Sequence, residues 1–175
     1  QRKDHSLIAQ RVYLALRQGG DKARMESFAA DWLKRHRNDP VFLFSLASWA
    51  IDDKDYDLAA ARLEQSLRGA PDSPPALNNL AWVRATQKKA GAVKLAERAN
   101  ELAPNQSPYL DTLAFALAAE GDVTRALDVQ KKALALSPAA HTLRLNLARL
   151  YLDAGDKGAA RRELDTLAAL GATFD

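Results

Sequence analysis

The feature that most constrains this chain is a period of 33 or 34 residues that runs through almost all of it. The dipeptide Leu-Ala occurs at Leu46-Ala47, Leu80-Ala81, Leu113-Ala114 and Leu147-Ala148, in steps of 34, 33 and 34 residues. Ala59, Ala92, Ala126 and Ala160 repeat at the same spacing. Asp21, Asp55, Asp122 and Asp156 stand in QGGD, DDKD, AEGD and DAGD, and Pro71, Pro104 and Pro138 close three of the units. Four series sharing one period define a repeat architecture, in which a unit buries its apolar face only by stacking on its neighbours.

Each unit reads as helix, short turn, helix. Leu110, Leu113 and Leu117 recur at i, i+3 and i+7 and so share one helical face. Gly121-Asp122 breaks that helix, because glycine accepts the left-handed conformation that ends one. A second helix carries Ala126, Leu127, Ala133 and Leu134 up to Pro138. Asp39-Pro40, Ser73-Pro74 and Ser107-Pro108 are expected N-caps, each a side-chain acceptor followed by a proline with helical φ. Two antiparallel helices joined by a tight turn need small residues where they cross. Ala47 against Ala59, Ala81 against Ala92, Ala114 against Ala126 and Ala148 against Ala160 are the expected crossing pairs. Aromatics are only 7% of a chain that is 47% hydrophobic, and Leu and Ala dominate over β-branched residues, which favours helix over strand.

These residues resemble the tetratricopeptide repeat. Leu110, Leu113, Ala114, Leu117, Ala126, Ala133 and Pro138 fill its pattern in the fourth unit, and Leu147, Ala148, Tyr151, Ala160 and Leu164 in the fifth. The resemblance implies an all-α, right-handed superhelical solenoid of about five helix-turn-helix repeats. They fall near 6–39, 40–73, 74–106, 107–140 and 141–171, in a single domain over 1–175. The first unit departs, with Val12-Tyr13 in place of Leu-Ala and Met25 in place of the crossing alanine, so irregular packing is expected there. The third unit is one residue short and turns through Gln87-Lys88-Lys89 without Gly-Asp, which predicts a tighter or 3₁₀-like turn. Arg84 and Arg144 occupy positions where Tyr and a large apolar residue are usual. The strings DWLKRHRNDP, LNNLAW, LDTLAFALAAEGD and ARRELDTLAALG are similar to the C-terminal repeats of the lipoprotein found with bacterial PEP-CTERM/exosortase systems. That narrower resemblance implies exopolysaccharide production or envelope protein sorting. It also implies a periplasmic or membrane-associated location through an upstream lipid anchor, a cytoplasmic one being the alternative.

Little in the chain suggests chemistry. There are no cysteines, which removes disulfides, thiolate metal sites and a cysteine nucleophile together. His5, His36 and His141 lie in different units without a second ligand at i+3 or i+4, so no metal site is expected. No phosphate-binding loop and no catalytic constellation is present, so no cofactor and no enzymatic activity are expected. His36, after Lys34-Arg35, reads as a basic helix end. The 25 basic and 22 acidic residues are interspersed, which argues against nucleic acid as a partner. No apolar stretch approaches the roughly 20 residues that span a bilayer. The chain opens QRKDHSLIAQ and stops just after an apolar helix, and it reads as a piece of a longer protein.

The expected function is a protein–protein scaffold that takes a peptide or partner protein in a concave groove. The resemblance implies that first helices line that groove. Carried over unit by unit, its candidate residues are Phe44, Ser48, Asn78, Asn79, Trp82, Asp111, Phe115, Asn146 and Arg149. Phe44, Trp82 and Phe115 either form an exposed aromatic ladder or pack between first helices as core. Asn79 and Asn146 match a consensus asparagine that is as often structural as ligand-facing. Trp32 and Trp49 read as core. The clamp that holds acidic chaperone C-termini is not expected, because its positions carry Phe44, Ser48, Asn79, Pro108 and Thr112. Aromatics beside an acid, as at Phe115 and Asp111, also suit a sugar ring. Finally, Leu164, Leu167 and Leu170 share one face of the last helix, which predicts self-association through that face.

Overall fold

The computed structural model describes residues 2–36 and 39–169, with side chains from residue 5 onward. Its regular structure is all helical: α1 (Arg2–Gln18), α2 (Lys22–Arg35), α3 (Pro40–Asp52), α4 (Tyr56–Gly69), α5 (Pro74–Thr86), α6 (Ala92–Leu102), α7 (Ser107–Ala119), α8 (Val123–Leu136), α9 (His141–Asp153) and α10 (Lys157–Ala169). Consecutive helices pair as helix-turn-helix units, about five in all. The packing resolves into two units, residues 1–79 and 80–175.

The turns inside the hairpins are built alike. Each holds a residue at positive φ at the matching place: Gly20, Lys54, Lys88, Gly121 and Gly155. In four of them the chain closes on itself with an amide donating to the carbonyl five residues back. The bonds are Asp55 to Ala50 (2.8 Å), Lys89 to Arg84 (2.8 Å), Asp122 to Leu117 (2.9 Å) and Asp156 to Tyr151 (2.9 Å). These bonds satisfy carbonyls that the helix end leaves without a partner. Aspartate then starts the next helix. Asp21, Asp55, Asp122 and Asp156 accept from the amides of Arg24, Leu58, Arg125 and Ala159 at 2.8–3.1 Å.

The third turn is therefore not tighter than the others. It keeps the same closure, with Lys88 at φ 54° in place of glycine. What differs is the start of the next helix: Gly91 at φ 87° caps α6 without a side-chain bond. The guanidinium of Arg84 lies over Gly91, and a Cβ there would meet Nη1 at 3.2 Å. The late start also moves the crossing. Ala92 clusters with Ala85, and Ala81 with Ala96, rather than Ala81 with Ala92. Ser107 is a second correction. The N-cap of α7 is Gln106, without a side-chain bond, and the Ser107 hydroxyl pairs with that of Ser137 at 2.8 Å. Asp39 does cap α3, accepting from the Phe42 amide at 3.0 Å.

In the first unit the core is aromatic where α1, α2 and α3 meet. Tyr13 stacks on Trp49 at 4.7 Å and meets Phe42 edge-on at 6.0 Å. Trp32 and Trp49 both pack against this cluster, and the Trp32 indole donates to Asp39 at 3.0 Å. Met25, Phe28 and Trp32 fill the space that alanines leave closed elsewhere. Accordingly α1 and α2 meet over much less of their length than α3 and α4 do. His36 closes α2 and stacks on Trp32 at 4.0 Å.

The second unit is packed on alanine. Ala81, Ala96, Ala114 and Ala126 are fully buried with Leu113, Leu117 and Leu150 around them. Arg144, at the position where an apolar residue is usual, spans α9 and α10 with a 2.6 Å ion pair to Glu163. On α10, Leu167 is buried whereas Leu164 is exposed, so the two do not form one open face; Leu170 lies outside the described residues.

Two outcomes follow. Ala126→Leu forces a larger side chain into a filled crossing and lowers stability by about 1–3 kcal/mol, read from the urea unfolding midpoint. Burial pushes the Tyr13 hydroxyl above its ordinary 10.0, with Arg17 partly opposing. The unfolded chain then loses that proton first, so stability declines once the pH rises past about 10. Tyr13→Phe makes this decline shallower between pH 8 and 11 in the same unfolding assay.

Candidate functional site

Within residues 80–175, an open groove of about 500 Å³ runs along one face. Its walls come almost wholly from odd-numbered helices: Trp82 from α5, Asp111 and Phe115 from α7, and Asn146, Arg149 and Asp153 from α9. Three of these positions follow the repeat: Trp82, Phe115 and Arg149 are 33 and 34 residues apart, whereas Asp111 and Asn146, 35 apart, stand at adjacent repeat positions. Equivalent helices stacked side by side present their matching positions along one wall.

The centre of the groove is a polar network. Asp111 Oδ1 accepts from Gln130 Nε2 at 2.7 Å and from Asn146 Nδ2 at 2.9 Å, and Asn146 Nδ2 also reaches Oδ2 at 3.2 Å. Gln130 donates a second bond to the Leu143 carbonyl at 3.0 Å, so both of its amide hydrogens are used. Only 1% of Gln130 is exposed. Its rotamer is set by burial and by two acceptors, and it holds the carboxylate from beneath. An unpaired donor at such depth costs about 1–3 kcal/mol, and both amide hydrogens avoid it.

Beside this network stand two rings. Trp82 and Phe115 lie 6.4 Å apart with planes inclined by 31°. Phe115 is 41% exposed and Trp82 is partly buried, so of the two sequence readings the structure excludes a fully packed core for Phe115. Arg149 and Asp153 line the same groove, and among the described residues neither side chain makes a hydrogen bond or an ion pair.

Five of the nine sequence candidates are thus brought together: Trp82, Asp111, Phe115, Asn146 and Arg149. The other four belong to the first unit. There Phe44 is partly buried, and the Ser48 hydroxyl is turned back onto the Phe44 carbonyl at 3.0 Å. Asn78 donates to Asn79 at 3.4 Å. Sequence reasoning missed Gln130, which sits on a second helix. Its signal was present: Ala126, Gln130 and Ala133 share the inner face of α8, and an amide among buried alanines requires partners. Among the described residues no group of three His, Asp or Glu side chains could hold a metal ion, and no helix is long and apolar enough to cross a membrane.

This fold is shared with solved repeat proteins. The family profile of the tetratricopeptide repeat matches residues 117–173. MamA (residues 41 to the end) from Desulfovibrio magneticus RS-1 superposes with a TM-score of 0.82 at 17% identity, covering 95% of each chain. PilF of Pseudomonas aeruginosa gives 0.76 at 19% identity, over 98% of this chain and 79% of its own. YrrB, described as a TPR protein with an unusual peptide-binding site, gives 0.71 at 18% identity, over 90% of this chain and 81% of its own. No curated protein matches by sequence. The described chain has the tetratricopeptide-repeat fold.

Gln130→Met keeps the volume and removes both donors. It takes one bond each from the Leu143 carbonyl and from Asp111, which keeps only Asn146, and lowers stability by about 1–3 kcal/mol in urea unfolding. If that substitution were neutral, the buried amide would not be holding the network.

Proposed function

We propose that this chain is a non-catalytic scaffold that binds a peptide or an extended segment of a partner protein in the groove of residues 80–175. One observation carries the reading: a carboxylate fixed by two amides stands next to a pair of rings, one of them 41% exposed. Aromatic side chains set in a concavity are the common anchors of protein recognition, since they remove much apolar area from water at little cost in rotamer freedom. A polar group held in place by its neighbours needs no reordering when a ligand arrives. The fold similarity to a repeat protein with a peptide-binding site agrees with this use of the surface.

A second reading has one observation of its own. Rings flanked by a carboxylate and amides also suit a sugar, which would agree with the part in exopolysaccharide production or envelope protein sorting implied by the sequence strings. It is a structural role in such a complex, and it uses the same groove.

Panning a random dodecapeptide library on the whole chain tests the proposal. Selected peptides are expected to bind Trp82→Ala and Phe115→Ala chains at least about tenfold more weakly, the loss typical of a central aromatic anchor. Circular dichroism confirms that both variants remain folded. Selected peptides that bind both variants with undiminished affinity would place recognition elsewhere.

A further inference from the structure

We infer that the groove selects a basic side chain, a lysine or arginine flanked by a large apolar residue, and that Asp111 is the group that receives it. The inference rests on the peptide-binding reading above and adds the charge of the ligand.

Among the described residues, no cation pairs with the Asp111 carboxylate. Its partners are the neutral amides of Gln130 and Asn146. Arg149 lines the same groove and still does not bond to it. Three bonds reach the carboxylate, and two of them fall on Oδ1, so Oδ2 keeps most of its capacity to accept. The amides orient the carboxylate without discharging it.

The lining as a whole has the same sign. The chain carries a formal charge of +3, yet the groove sets Asp111 and Asp153 against Arg149, a sum of −1. That local contrast of sign favours a cationic over an acidic side chain at this site. Trp82 and Phe115 add to this, because ring faces attract a lysine ammonium or an arginine guanidinium while taking up the apolar residue beside it. A neutral sugar would use the same rings and amides, but it leaves the charge of Asp111 unmatched; the peptide is therefore the favoured occupant.

The test is a double-mutant cycle by fluorescence polarisation, using the peptide selected by panning and its variant with the basic residue replaced by methionine. Asp111→Asn is the protein arm. Its amide oxygen, in the place of Oδ1, retains the acceptor that Gln130 and Asn146 both use, so two of the three bonds survive the loss of charge and only the 3.2 Å approach of Asn146 to Oδ2 is given up. The selected peptides are expected to share a lysine or arginine at one position. Removing either charge is expected to weaken binding about tenfold, and removing both to cost little more than removing one. Raising NaCl from 50 to 500 mM is also expected to weaken binding to the unsubstituted chain, a readout that needs no variant. Peptides that depend on Trp82 but show no basic preference, or bind Asp111→Asn equally well, overturn the charge assignment and leave the groove reading standing. A chain that selects no Trp82-dependent peptide, or that instead retains a neutral oligosaccharide in a Trp82-dependent way, overturns both.

Discussion

Close approach of paired helices is the constraint on which the rest of this molecule depends. Two helices joined by a turn of a few residues leave room only for a methyl group at their crossing. Ala47, Ala59, Ala114, Ala126, Ala148 and Ala160 are all buried to within 1%. Where that rule lapses, the packing changes character. Tyr13 and Met25 in the first hairpin hold α1 and α2 apart, and an aromatic cluster fills the space instead. In the third hairpin the late start of α6 shifts the crossing by a turn, to Ala85 with Ala92.

The turns impose the second constraint. A left-handed residue every 33 or 34 positions, followed in four hairpins by a capping aspartate, fixes where each helix stops and the next begins. Fixed helix lengths are what bring residues a repeat apart to matching places on the wall of the second unit. The groove is a consequence of that regularity, and Gln130 is its one contribution from a second helix. A neutral amide buried beneath a carboxylate positions the acid while leaving its charge in place, which a lysine or arginine at 130 would have cancelled.

Much of this was legible in the sequence, because periodicity is a property of spacing alone. The five hairpins, the aspartates of their turns and the buried alanines follow from recurrence, and five groove candidates follow from repeat position. What the sequence concealed was contact between units of the repeat. Asp111 and Asn146 are 35 residues apart, and Gln130 reaches across to both Asp111 and the Leu143 carbonyl. Spacing does not show which polar side chains meet. Lys88 was misread for another reason: its left-handed conformation is set by the closure of the turn, and propensity alone favours glycine there. Ser107 was read as a cap because Ser-Pro is a common start signal, whereas its hydroxyl is taken by Ser137.

The most direct test of the account is nitrogen-edited NMR of the chain during titration with a peptide selected by panning. The three indole N–H groups and the side-chain amides of Gln130 and Asn146 serve as reporters on one spectrum. The account predicts that the Trp82 indole and both amides shift saturably, while the indoles of Trp32 and Trp49, packed in the first unit, stay in place. Saturable shifts at Trp32 or Trp49, with Trp82, Gln130 and Asn146 unmoved, would contradict it.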